Sequence, residues 1–107
     1  MKPRVNLPAD TIAEFCERHR IRRFAFFGSV IRDDFGPESD VDILIEFDPD
    51  ARVGFLSLAG MEIELSDLLN RRVEIHTVRG LHPRYRDEIL SEAEFQFEQA
   101  AVSPLSV

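Results

Sequence analysis

The sequence has few of the features that mark secreted or membrane proteins. Cys16 is the only cysteine among 107 residues, so no disulfide can form within the chain. The first thirty residues mix charged and apolar side chains and contain no apolar segment typical of a signal peptide. No apolar run approaches the roughly 20 residues that a membrane-spanning helix needs. We therefore expect a cytoplasmic protein in a reducing compartment, without membrane contact.

Positive charge is also in short supply. The chain carries 13 Lys and Arg against 20 Asp and Glu, a net charge of −7. Such a balance disfavours general binding to the phosphate backbone of nucleic acids, although part of the charge can lie in one metal-binding cleft. There is no internal repeat and no low-complexity segment. We expect one domain over residues 1–107, with a loose tail over about 97–107.

The apolar pattern predicts helices that alternate with strands. Helices are expected at about residues 8–19 and 54–69 and from Pro83 onward, with a short turn at 30–34. Strands are expected at residues 22–27, 41–47 and 73–78. Asn70 is suited to the left-handed end of the second long helix, and the acidic stretch 92–98 is interpreted as a solvated helix face. The fold class is therefore α+β or α/β: a small mixed sheet with helices packed against it.

Two carboxylates stand at the start of the strand VDILIEF. Because side chains alternate along a strand, Asp40 and Asp42 are expected to point the same way, opposite to the apolar Val41 and Ile43. Adjacent carboxylates repel each other, and a hard divalent cation such as Mg²⁺ removes that repulsion. Paired carboxylates of this kind can hold two ions in phosphoryl transfer. The alternative is a loop cap at Asp40 and a solvated edge residue at Asp42.

A glycine and a serine follow the preceding predicted strand. Gly28 allows the backbone to approach a phosphate closely, and the hydroxyl of Ser29 can donate a hydrogen bond to it. Backbone N–H groups at such a turn form a concave anion site. Taken alone, a Gly-Ser pair after a strand is most often just a turn.

The two motifs together read GSVIRDDFGPESDVD, with ten residues between Ser29 and Asp40. This arrangement resembles the signature of the DNA polymerase β-like nucleotidyltransferases. It is most similar to the minimal nucleotidyltransferases, which are often encoded beside a HEPN-domain partner. The resemblance covers about residues 10–95 and includes Arg32, the DVDILIEF strand and the later RRVEIHTV strand.

The resemblance implies a role for each motif. Gly28 and Ser29 would hold the β- and γ-phosphates of ATP or another nucleoside triphosphate. Arg32 is a further candidate for contact with the triphosphate, or else a surface arginine.

The same resemblance implies a catalytic metal site. Asp40 and Asp42 would bind Mg²⁺, two ions in all, and Glu74 would be the third metal ligand and the base that takes the acceptor's proton. The family usually has Asp at that third position, so the longer Glu74 places catalytic competence in question. The histidines are weaker candidates for metal ligands. His19, His76 and His82 lack metal-ligand spacing and are interpreted as structural or solvated.

The resemblance also implies an acceptor. AMP from ATP would be transferred to a tyrosine of a HEPN toxin, which would make the chain an antitoxin. Two alternatives remain open: a binding module that masks a toxin by contact alone, and a small-molecule nucleotidyltransferase that acts as a homo-oligomer. The sequence leaves the acceptor, the preferred nucleotide and the assembly state undetermined.

Overall fold

The computed structural model describes residue 5, residues 7–32 and residues 36–99. Over these residues it contains, in chain order, α1 (Ala9–Arg18), β1 (Ile21–Phe27), a 3₁₀ turn (Gly28–Ile31), β2 (Val41–Phe47), α2 (Phe55–Leu69), β3 (Val73–Thr77), α3 (Pro83–Glu92) and β4 (Glu94–Glu98). The expected mixed sheet with packed helices is confirmed. Within these ranges, no helix is both long and apolar enough to cross a membrane.

The four strands form one sheet in the order β3-β2-β1-β4. β1 is antiparallel to both of its neighbours, whereas β2 and β3 are parallel. Parallel neighbours need a crossover connection, and α2 provides it. The carboxyl end of β1 therefore meets the amino ends of β2 and β3 at one edge of the sheet.

Both faces of the sheet are covered. On one face, α1 and α2 enclose the main core, whose buried residues include Phe15, Phe24, Ile43, Met61 and Leu65. On the other face, α3 covers a smaller cluster built on Ala25, Leu44 and Leu81. β2 is a central strand and is buried on both sides, which explains its nearly continuous apolar sequence. Its two acidic residues, Asp42 and Glu46, lie near the two ends of the strand, on the face of Leu44.

The predicted elements mostly have the expected bounds, including β2 at Val41–Phe47. Asn70 ends α2 in the left-handed conformation with φ of 53°, as expected. Pro8 precedes α1 as its N-cap instead of opening it. The short turn expected at 30–34 is the 3₁₀ turn Gly28–Ile31, while residues 33–35 lie outside the described part.

The interpretation of residues 92–98 as a helix face is wrong. α3 ends at Glu92, Ala93 is extended, and Glu94–Glu98 forms β4 against β1. The segment EFQFE alternates with the period of a strand, and pairing with β1 satisfies the backbone groups on one side of this edge strand. Phe97 packs against the main core, and Arg23 lies 5.3 Å from the Phe95 ring. Residues 97 and 98 of the expected tail thus belong to the sheet, and residues 100–107 lie outside the described part.

Candidate active site

The candidate residues gather at the edge where β1 ends and β2 and β3 begin. Asp42 is the register partner of Phe27 on β1 and of Glu74 on β3. Residues paired across strands share a face of the sheet, so the carboxylates of Asp42 and Glu74 stand side by side. Gly28 follows Phe27 directly. The topology therefore joins two motifs that the sequence separates.

Gly28 is required by the backbone and by its surroundings. Its φ is +75°, a conformation that residues with a Cβ rarely adopt. A Cβ at this position would lie 2.6 Å from Oδ2 of Asp42, closer than non-bonded atoms can approach. The Gly28 backbone and the Asp42 carboxylate are therefore in direct contact.

The turn after Gly28 is anchored in the protein interior. Val30 and Ile31 are buried, and the Arg32 N–H donates to the Ser29 carbonyl at 2.9 Å. The side chain of Arg32 is exposed and points away from the turn. Its Nη2 lies 3.5 Å from Oε2 of Glu92 on α3. Both side chains are at least half exposed, so this ion pair contributes little to stability.

A compact group of metal-ligand atoms lies next to this turn. Among the described residues, Asp42, Glu74 and His76 each offer one ligand atom, and the three atoms lie within 4.8 Å of one another. Nε2 of His76 is 3.2 Å from Oδ1 of Asp42 and 4.0 Å from Oε1 of Glu74. Two carboxylates and an imidazole at this spacing form a donor set that fits a divalent cation.

His76, expected to be structural or solvated, lies within hydrogen-bond distance of Asp42 and beside Glu74. Its partner Asp42 lies on the neighbouring strand, 34 residues away, so no ligand spacing is visible along the sequence. The strand period does give a signal, because His76 is two residues from Glu74 and shares its face. The His76 ring also packs edge-on against Phe27, with centroids 5.1 Å apart.

The carboxylates set the charge state of His76. Its hydrogen bond with Asp42 raises the pKa of His76, partial burial opposes the shift, and the negative charges of Asp42, Glu74 and Glu62 add to it. A protonated His76 offsets the repulsion between the two carboxylates. A divalent cation would do the same.

Asp40 lies outside this compact group. It is half-buried in the segment 36–40, one residue before β2 begins, so strand alternation does not fix the direction of its side chain. Arg71 braces the segment by donating hydrogen bonds to the carbonyls of Ser39, at 2.8 Å, and Gly36. The Val41 N–H adds a bond to the Arg72 carbonyl at 2.8 Å. The structure therefore brings Asp42 and Glu74 together and places Asp40 on the braced loop that leads into β2.

A separate cleft of about 380 Å³ lies at the opposite end of β2 and β3. It is lined by Phe47, Thr77 and Val78 and by the segment that leads into α2. None of the six residues expected from the sequence to bind phosphate or metal contributes to its lining. The chemistry-bearing residues are thus distinct from this cleft.

Comparison with known proteins agrees with this geometry. The profile of the nucleotidyltransferase domain family matches residues 9–95. A candidate protein adenylyltransferase of Methanocaldococcus jannaschii is 36% identical over 76 residues, which are 71% of this chain and 80% of that protein. The solved structure of a candidate minimal nucleotidyltransferase is also 36% identical, with a TM-score of 0.67 over 79% of this chain and 85% of that one.

A more distant likeness extends to a complex. In the structure of a tri-AMPylated HEPN toxin from Shewanella oneidensis with its MNT antitoxin, the matching chain has 13% identity and a TM-score of 0.62. The match covers 85% of this chain and 70% of that one, and it shows a shared fold. By the profile match over most of its length and the two relatives at 36% identity, the chain belongs to the nucleotidyltransferase domain family and, within it, to the minimal nucleotidyltransferases.

Proposed function

We propose that this chain transfers AMP from ATP to a hydroxyl group of a partner protein. The observation that carries the proposal is the contact between the Gly28 turn and the Asp42–Glu74 carboxylate pair. A site for phosphate and a site for metal ions then adjoin, as transfer of a nucleotide requires. The adenylyltransferase name of the archaeal relative supports the same reaction class.

The roles follow from position. The backbone at Gly28 and the hydroxyl of Ser29 bind the β- and γ-phosphates, because a glycine turn exposes N–H groups to an anion. Arg32 reaches the triphosphate if it leaves Glu92, with which it makes only an exposed ion pair. These contacts orient the α-phosphate toward the carboxylates.

Asp42 and Glu74, with Asp40 on the adjacent loop, would hold the divalent metal ions. Bound Mg²⁺ would neutralise the charge of the phosphates and favour departure of pyrophosphate. The acceptor oxygen forms a bond to the α-phosphorus while the bond from that phosphorus to the β-phosphate oxygen breaks. The hydroxyl proton passes to the Glu74 carboxylate, which is more than half exposed and open to an acceptor.

The acceptor we propose is a tyrosine of a HEPN toxin, and the chain would be the antitoxin. The AMPylated toxin in the Shewanella complex supports this assignment through the shared fold. In this proposal the partner protein completes the site by supplying the acceptor hydroxyl.

A second candidate function is masking of a toxin by contact alone. The outer surface of α2 favours it, because Phe55 and Leu56 are more than four-fifths exposed and Ile63 is nearly two-thirds exposed. Exposed apolar side chains on one helix are typical of a protein interface. Such a surface serves binding whether or not AMP is transferred.

The experiment that tests the proposal uses ATP labelled on the α-phosphate. The wild-type chain is incubated with Mg²⁺ and the HEPN protein of the neighbouring gene, and label on that protein is measured. Asp42→Asn should abolish labelling, while Asp50→Asn, at the far end of β2, should label normally. No labelling by the wild type, with a stable complex between the two proteins, would instead support masking.

A further inference from the structure

The two strands that carry the proposed metal ligands also carry an imidazole. Asp42 stands on β2 opposite Glu74 on β3, and His76 lies one pleat further along β3 on the same face. All three side chains belong to paired strands of the sheet and not to loops. Their relative positions are therefore fixed by the backbone hydrogen bonds between β2 and β3.

The spacing of the ligand atoms suits a shared ion. In an octahedral site with metal–ligand distances of about 2.1 Å, neighbouring ligand atoms lie about 3.0 Å apart and opposite ones about 4.2 Å. Nε2 of His76 is 3.2 Å from the Asp42 carboxylate and 4.0 Å from that of Glu74. Small rotations of the side chains bring all three atoms into the first coordination sphere of one ion.

The surroundings hold the imidazole in this orientation. The His76 ring lies edge-on to Phe27, and about a third of the side chain is exposed. One ring nitrogen therefore faces the carboxylates. Solvent retains access to the group, so an ion can enter and keep further water or phosphate ligands.

A nitrogen ligand changes which metal the site prefers. Mg²⁺ takes oxygen ligands almost exclusively, whereas Mn²⁺ and the later divalent transition metals accept imidazole nitrogen readily. We propose that His76 is a direct nitrogen ligand of the metal ion held by Asp42 and Glu74, and that the site therefore selects Mn²⁺ over Mg²⁺. This inference rests on the proposed function for the existence of the metal site, and it adds an imidazole ligand and the identity of the metal.

Pulsed electron paramagnetic resonance on the Mn²⁺-loaded protein tests the coordination directly. Untagged protein is loaded without nucleotide in a nitrogen-free buffer at about pH 8, above the ordinary pKa of imidazole. The spectrum should show coupling of the Mn²⁺ electron spin to one imidazole ¹⁴N. The coupling should change to that of ¹⁵N when histidine is isotopically labelled and disappear in His76→Gln. The control His82→Gln, which alters the N-cap of α3, should keep it.

Metal titration supplies the second readout. His76→Gln should weaken Mn²⁺ binding by about tenfold or more and change Mg²⁺ binding by less than about threefold, because only Mn²⁺ gains from nitrogen. A Mn²⁺ spectrum without nitrogen coupling, or equal losses for the two metals, would overturn the inference. AMP transfer by the wild type with Mg²⁺ tests the proposed function separately. If Asp42→Asn weakened the binding of neither Mn²⁺ nor Mg²⁺, Asp42 would not be a metal ligand and the proposed metal site would be wrong.

Discussion

Gly28 and Asp42 are in contact so close that a Cβ on Gly28 would lie 2.6 Å from Oδ2 of Asp42. The contact joins the turn proposed to bind phosphate to the carboxylate proposed to bind metal. The backbones of both residues are held in place, because Val30 anchors the turn in the core and β2 lies in the centre of the sheet. The geometry of the site is thus set by the fold.

Gly28→Ala should lower both the rate of AMP transfer and the stability of the fold, and the two effects can be measured separately. The methyl group must displace the Asp42 carboxylate, and a displacement of this order lowers transfer by about 100-fold. The left-handed backbone adds a stability cost of about 1–2 kcal/mol. Transfer rates and chemical denaturation measure the two effects.

Gly60→Ala is the matched control for this variant. Gly60 lies within α2, and an added Cβ would meet no atom within 4 Å other than those of its chain neighbours and its own helix backbone. Alanine should therefore stabilise the helix by about 0.5–1 kcal/mol. Nucleotide binding should be unchanged. A Gly28→Ala protein that transfers AMP at the wild-type rate would show that the contact has no catalytic importance.

Arg71→Gln should loosen the loop that carries Asp40. The guanidinium donates to two carbonyls of that loop, and glutamine cannot span the same pair of acceptors. Amide hydrogen exchange at residues 36–40 should accelerate, and AMP transfer should fall while the fold persists. Arg79→Gln, at the other end of β3, should change neither. Unaltered exchange in the Arg71 variant would rule out the brace.

Glu74→Gln should reduce transfer about as strongly as Asp42→Asn, since both remove a carboxylate from the metal-ligand group. Glu74→Asp restores the residue that the family usually has, and it should retain or increase activity. Rates are compared at saturating Mg²⁺ and ATP. Wild-type transfer by Glu74→Gln would show that Glu74 is neither ligand nor base.

Glu64 links α2 to α1 and makes stability depend on pH. Hydrogen bonds from Arg18, and next from His19, lower the pKa of Glu64 against the opposing effect of burial. A lowered pKa means that this stabilisation is present above the unfolded-state value of about 4.3 and is lost as the pH falls through the folded-state pKa.

Glu64→Gln should therefore lower the melting temperature slightly at neutral pH, and the difference from wild type should vanish in acid. The effect is small because the pair is partly exposed and screened by solvent. Glu14→Gln, which removes a more exposed partner of the same arginine, should have a smaller effect. A difference in melting temperature between wild type and Glu64→Gln that stays constant as the pH falls would contradict this account.

The sequence predicted β2 well because that strand satisfies several rules at once. Val41, Ile43 and Ile45 are β-branched, alternate toward one core and end in a clear turn signal. β4 was missed because the acidic residues around Phe95 and Phe97 also suit a solvated helix, and only pairing with β1 decides between the two.

The site shows the same division between local and distant information. Gly28 was recognisable because its conformational role depends on its own backbone. The contact of His76 with Asp42 and the brace by Arg71 both depend on partners more than 30 residues away. No local pattern encodes such contacts, which arise only when the order of the strands is known.

The central claim is that the chain transfers AMP to a HEPN protein, and mass spectrometry of that protein tests it most directly. The HEPN protein of the neighbouring gene is produced together with wild-type chain or with Asp42→Asn, and its tryptic peptides are analysed by mass spectrometry. The account predicts AMP on a tyrosine with the wild type and none with Asp42→Asn, although both copurify with the partner. An unmodified HEPN protein beside the wild-type chain, or equal modification beside Asp42→Asn, would contradict it.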